Sequence, residues 1–130
     1  MRPSTLKIVV FLVAGLALTS CRMAPVYNVE SSTMPTPPTA TLQDVTDAIK
    51  RAGVTLGWQM TDKGPGELEA KIIVRSKHTA IVSITFDTKQ FSIFYVDSVN
   101  LNYTGTQIKT GYNGWIENLE NAILTHTSTL

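Results

Sequence analysis

The chain has 130 residues, 43% of them hydrophobic and 16% charged, with 11 bases, 10 acids and one cysteine. That length holds a single domain. A net charge of +1 creates no long-range field for gathering phosphates, which argues against nucleic acid as a partner. A lone cysteine excludes a disulfide within the chain.

The first seven residues carry Arg2 and Lys7 and no acid, and Ile8 to Leu18 (IVVFLVAGLAL) form an unbroken apolar run. Crossing a hydrocarbon core takes roughly 20 apolar residues, so this run is too short to span and has the length of a secretory leader. A buried core helix would not stand behind two cations and ahead of a proline-rich stretch. The run ends in Leu18-Thr19-Ser20-Cys21, which resembles the bacterial lipobox: an apolar residue and two small ones before a thiol that can be alkylated by a diacylglyceryl group. The alternative, a free thiol exported to an oxidising compartment, is a liability.

The resemblance implies that residues 1–20 are a lipoprotein signal peptide and that Cys21 becomes the lipid-bearing first residue. It implies three acyl chains in Gram-negative bacteria, where one chain, at about 0.8 kcal/mol per buried methylene, binds only marginally. Arg22 rather than an aspartate follows the cysteine, which in the enteric sorting pattern implies the outer membrane, facing the periplasm. Loss of Arg2 and Lys7 with the leader leaves nine bases against ten acids.

Residues 21–40 read as the lipidated cysteine and a tether. Pro25, Pro35, Pro37 and Pro38 stand among Ser and Thr with no helical or strand period, the composition of an extended spacer. Fully stretched, residues 22–40 would reach roughly 60 Å from the anchor.

From Thr41 the periods become readable. Thr41 with Asp44 three residues on is close to a capping box, and Leu42, Val45, Ala48, Ile49 and Ala52 recur at helical spacing. Gly53 is the natural stop, so a helix is expected over 42–52. Val54, Leu56, Trp58 and Met60 then alternate as a strand, closed by the turn Asp62-Lys63-Gly64-Pro65-Gly66. Leu68, Ala70, Ile72 and Val74 make the inward set of a second strand, and His78, Ala80, Val82, Ile84 and Phe86 that of a third. After the turn at Asp87-Thr88-Lys89-Gln90, Phe91, Ile93 and Tyr95 begin a fourth, continuing irregularly through Val99, Leu101 and Tyr103. A last helix carries Tyr112, Trp115, Ile116, Leu119 and Ile123 on one face, with the tail from His126 expected to fray.

Short turns pair neighbouring strands antiparallel, and both amphipathic helices need the sheet's apolar face. The expected fold is α+β: a two-layer sandwich of a four-stranded antiparallel meander with an N-terminal and a C-terminal helix on one face, over 41–130. A domain of that size buries about 60–65% of its unfolded surface and can stand without disulfides.

Gly57-Trp58, Pro65-Gly66, Arg75-Ser76-Lys77-His78, Phe91-Ser92-Ile93, Asp97-Ser98 and Tyr112-Asn113-Gly114-Trp115-Ile116-Glu117-Asn118-Leu119 give the region a likeness. It resembles a family of small uncharacterised proteobacterial lipoproteins. The resemblance implies the fold and no particular activity.

Chemistry is sparse. Two histidines and an acylated cysteine do not supply the three or four closely spaced ligands of a zinc site, so no metal and no cofactor are expected. No Gly-x-Ser-x-Gly elbow or phosphate-binding glycine loop occurs, and Glu67 and Glu69 read as solvated surface. An enzyme is therefore not expected. The polar residues that stand out lie where strands end: Arg75 and His78 at one turn, Asp97 and Asn100 leaving the fourth strand, and Tyr112 opening the last helix. A meander puts these at one end of the sheet, where they either form a ligand site or satisfy local structure, with Arg75 pairing Asp97. Trp58 and Trp115 fall on apolar faces and read as core.

Two functions follow as expectations. One is a membrane-anchored, non-enzymatic module that binds an envelope protein or peptide through a sheet edge or the open sheet face with Ile73, Ile81, Phe94 and Val96. The other is a small-ligand domain for a wall fragment, lipid headgroup or anionic metabolite at Arg75, His78, Asp97, Asn100 and Tyr112.

Overall fold

A computed structural model of the chain describes residues 22–130; the expected signal peptide, residues 1–20, and Cys21 lie outside the described residues. The elements run β1 (Met23–Pro25), β2 (Val29–Thr33), α1 (Leu42–Thr55), β3 (Gln59–Gly64), β4 (Glu67–Val74), β5 (His78–Phe86), β6 (Gln90–Val99), β7 (Gln107–Lys109) and α2 (Thr110–Ser128). The class is α+β, as the periodicities predict.

Helix α1 begins at the expected capping box. The Thr41 hydroxyl accepts the Asp44 N–H at 3.0 Å and the Asp44 carboxylate accepts the Thr41 N–H at 2.9 Å, so two donors that the helix start leaves open are satisfied reciprocally. Those bonds to Thr41 hold the Asp44 carboxyl below the usual carboxylate range. The helix does not stop at Gly53. It runs on to Thr55 and closes where Gly57 takes φ +93°, with Gly57 N–H donating to Val54 C=O and Trp58 N–H to Gly53 C=O, each at 3.0 Å. That is a Schellman closure, and glycine suits it because side chains penalise the left-handed region. Val54 and Leu56 are thus the exposed end of a helix, and β3 starts only at Gln59. The alternation that suggested an earlier strand is the accidental overlap of a helix end with the strand that follows it.

The four meander strands pair as expected, with Leu68 opposite Ile84, Ala70 opposite Val82, Ile72 opposite Ala80 and Ile84 opposite Ile93. Their inward residues and the apolar faces of both helices form one buried cluster, from Val45 and Ile49 through Phe91 to Ile116, Leu119 and Ile123. At roughly 1.5–3 kcal/mol for each large side chain removed from water, this cluster is the main source of stability. The other face of the sheet is open: Ile73, Phe94, Val96 and Val99 are exposed on it or at its end. A bulge leaves Val96 unpaired between Tyr95, opposite Val82, and Asp97, opposite Ile81. Helix α2 does not fray at His126; it continues to Ser128 with Thr127 buried, its hydroxyl donating to Ile123 C=O at 2.8 Å.

The largest correction concerns residues 22–40, which are not a tether. β2 adds a fifth strand beyond β6, giving the order β2-β6-β5-β4-β3, and β1 pairs with β7 in a separate two-stranded ribbon. Val29 and Met34 are core residues, each 3% exposed. Hydrogen bonds fasten what lies between: Val26 N–H to Thr106 C=O at 3.0 Å, Met34 N–H to Lys89 C=O at 2.8 Å and the Thr36 hydroxyl to Thr88 C=O at 2.6 Å. The side chain of Asn113 grips the strap twice, accepting from Tyr27 N–H and donating to Pro25 C=O, both at 2.9 Å. The Tyr27 hydroxyl donates to the Glu120 carboxylate at 2.6 Å. That bond, with burial and the nearby carboxylates adding to it, raises the tyrosine to about 12. Proline sits at the end of a three-residue strand in a ribbon, where its missing N–H is tolerated.

Candidate functional site

Two chain features converge at the end of the sheet where β4 turns into β5. The β1–β7 ribbon pairs Met23 with Lys109, and Thr110 N–H donates to Arg22 C=O at 3.1 Å, which sets Arg22 beside Lys109 and the first residues of α2. The β4–β5 turn brings Arg75 and His78 to the same place. Between them lies an open cleft of about 420 Å³, lined by these four residues and by Leu101, Thr110, Gly111, Trp115 and Val74.

Three of the lining side chains are permanent cations, and none is acidic. Among the described residues, the ion pair within bonding distance is Lys50 with Asp62, elsewhere in the molecule; no carboxylate pairs with Arg22, Arg75 or Lys109. The N-terminus of α2 opens on the cleft at Thr110 and Gly111 without a side-chain cap, and its backbone dipoles add partial positive charge. Trp115, half-buried, supplies an apolar wall. His78 Nδ1 lies 3.1 Å from the Asn100 carbonyl. A carbonyl can only accept, so Nδ1 carries the proton.

The turn itself is strained. Arg75 and Ser76 take φ +56° and +59°, with Lys77 N–H donating to Val74 C=O at 3.2 Å. Two left-handed central residues are the geometry of a type I′ turn, which asparagine and glycine favour. An arginine and a serine there cost roughly 1–2 kcal/mol each. Asn100 and Asn102 also take positive φ nearby, and Asn100 Nδ2 ties this exit to the turn by donating to Lys77 C=O at 2.7 Å. Among the described residues, four of the five non-glycine residues with positive φ therefore lie at this one end. Backbone strain of this kind collects where a fold holds side chains for a purpose other than stability.

Of the residues singled out in the sequence, Arg75, His78 and Asn100 meet here. Asp97 does not join them. It stands opposite Ile81 on the uncovered face, exposed, with its carboxylate accepting the Ser98 N–H at 2.8 Å, because the β6 bulge turns it away from the cleft. No Arg75–Asp97 pair forms. Tyr112 is fully buried behind the cleft, edge-on to Tyr95, which stacks on Tyr103. Its hydroxyl has no partner, and burial pushes its titration well above the ordinary tyrosine range. Trp58 is core, as read; Trp115 is only partly so. Arg22 and Lys109 were missed. Arg22 lay inside the supposed tether, and Lys109 precedes a helix by one residue, a place from which only β1 pairing turns it into the cleft.

What this arrangement can do is bind. The cations and the helix start suit a negatively charged group, and the tryptophan suits an apolar or ring-shaped portion beside it. No acid lines the cleft to orient or polarise His78. Among the described residues no group of three or more His, Cys, Asp or Glu gathers, and no helix is long and apolar enough to cross a membrane. No family model, no curated protein and no solved structure matches the chain.

Proposed function

We propose that the protein is an envelope lipoprotein, held at the membrane through Cys21, whose domain binds an anionic ligand in the cleft at Arg22, Arg75, His78 and Lys109 and does not turn it over. The observation that carries this reading is the convergence of three cations on one cleft without an acid, in a chain that beyond residue 20 holds nine bases against ten acids. Charge-assisted hydrogen bonds to an anion are the strong use of such groups. Unpaired cations facing one another repel, and bound anion would relieve that repulsion.

Titration of the protein with inorganic phosphate and with phosphate monoesters, followed by Trp115 fluorescence, tests it. Saturable change that is lost in Arg75→Ala and Lys109→Ala, with thermal unfolding unaltered, is the expected result. An unresponsive wild-type protein would sink the reading. A second reading, capture of an envelope protein, is favoured by the open sheet face with Ile73, Phe94, Val96 and Val99 exposed. Crosslinking from positions 73 and 94 in intact envelopes would recover one discrete partner if it holds.

A further inference from the structure

The anion-binding reading left open what the anion belongs to, and the course of the N-terminal strap decides where the cleft faces. Arg22 lines the cleft and its carbonyl is bonded to the backbone at the start of α2. β1 begins one residue later, in register with β7. Cys21 is joined to Arg22 by a single peptide bond, and neighbouring residues stand no more than about 3.8 Å apart along the chain. A lipid-bearing cysteine thus has no spacer to stand the domain off. Its acyl chains enter the bilayer within a residue's length of the cleft.

We infer that the domain rests directly on the membrane with the β4–β5 turn end down, and that the ligand of the Arg22/Arg75/Lys109 cleft is the headgroup phosphate of an anionic phospholipid in the membrane that holds the anchor. This rests on the lipid-anchor and anion-binding readings above. The charge distribution agrees with it. Lys77 in the same turn adds a fourth cation, whereas seven of the ten acids lie elsewhere, on α1, β3, β4 and the middle of α2; Asp97, opposite Ile81, stands on the open sheet face. At this end of the open sheet face, Ile73 and Val99 stand either side of Thr79, 49% and 54% exposed, and Tyr103, in the segment after β6, is 42% exposed. These are side chains suited to the boundary between headgroups and acyl chains, where an amphipathic tyrosine is at home. Each Lys or Arg held near an anionic surface favours the docked state by about fivefold, so Arg22, Arg75 and Lys109 together orient a domain that the anchor has already brought to the bilayer.

The test uses the full acylated protein, its acyl chains verified by mass spectrometry, reconstituted in phosphatidylcholine vesicles with and without phosphatidylglycerol. Trp115 lines the cleft and Trp58 is buried in the core, so Trp115→Phe identifies the reporting signal. Lipids brominated near the headgroup should quench Trp115 in the phosphatidylglycerol vesicles. The docked-to-undocked ratio should fall about fivefold in Arg75→Ala, and about fivefold again when Lys109→Ala is added, while the anchor keeps both variants on the vesicle. Docking should also weaken at 1 M salt, where screening acts over about 3 Å. Quenching that is absent, or indifferent to phosphatidylglycerol and to both substitutions, overturns the inference. If Trp115 then still responds to soluble inorganic phosphate, the cleft binds an anion but does not face the bilayer, and only the membrane assignment fails. If it responds to neither, both readings fail. A chain that carries no acyl group overturns the orientation at its root.

Discussion

Residues 22–36 and helix α1 are neighbours in the chain, of nearly equal length, and both are integral to the fold, yet they are held by different means. α1 buries Val45, Ala48, Ile49 and Ala52 in a repeating stripe. The strap buries only Val29 and Met34 and is otherwise fixed by its short pairings with β7 and β6 and by bonds to Thr106, Lys89, Thr88, Asn113 and Glu120. A repeat of burial leaves a period in the sequence. Fastening by scattered hydrogen bonds to residues 52 to 93 positions away leaves none. Low periodicity beside prolines therefore does not mean a loose segment.

The comparison breaks most sharply if the strap is removed. A chain beginning at Thr41, where the periods begin, should lose about 3–6 kcal/mol from Val29 and Met34 alone and expose the edge of β6. Chemical denaturation of that chain against residues 22–130 measures the loss. Equal stability would mean that the strap is an accessory after all. Asn113→Ala should cost about 1–2 kcal/mol, because it leaves two strap groups without partners, and hydrogen exchange should rise at Tyr27 while α1 stays protected.

On the other side of the comparison, Thr41→Ala should cost about 1 kcal/mol by removing the cap of α1. The Asp44 carboxyl is depressed by its bonds to Thr41, so its contribution is present above pH 3.8 and fades as pH falls through the folded value. Thr41→Ala should remove only the smaller part of that acid sensitivity, because the backbone N–H of residue 41 still donates to the Asp44 carboxylate. The Asp87 carboxyl, which accepts Lys89 and Gln90 N–H at 2.7 and 2.9 Å and is likewise depressed, should keep its own.

Tyr27→Phe should have the smallest effect, about 1 kcal/mol or less for a half-buried hydroxyl bonded to a carboxylate. Tyr27 is raised to about 12 from 10.0, so its contribution is complete below pH 10 and is lost as pH rises towards 12. Tyr95 and Tyr112 are raised as well. The wild-type protein should therefore weaken above pH 10, and Tyr27→Phe should weaken less steeply, the difference being the share of Tyr27.

The candidate site was legible in part for the same reason that the fold was. Arg75 and His78 were placed correctly because a hairpin's turn position follows from strand alternation on either side. Asp97 was misplaced because one extra residue in β6 reverses which face a side chain takes, and no turn residue or glycine announces that bulge. Tyr112 reads both as part of the apolar face of the last helix and as a candidate ligand group; it takes the first place, fully buried and edge-on to Tyr95.

By itself, the sequence determined the two helices, the four-stranded meander and the inward sets of β4, β5 and the first half of β6, because period is a local property and a repeated buried face needs it. It also held the capping box of α1, since three residues suffice to make one. Only the tertiary structure decided the fifth strand, the β1–β7 ribbon and the cleft between Arg22, Arg75, His78 and Lys109. Each depends on pairings between distant segments, and the free energy of such a pairing is spread over partners that neither segment specifies alone.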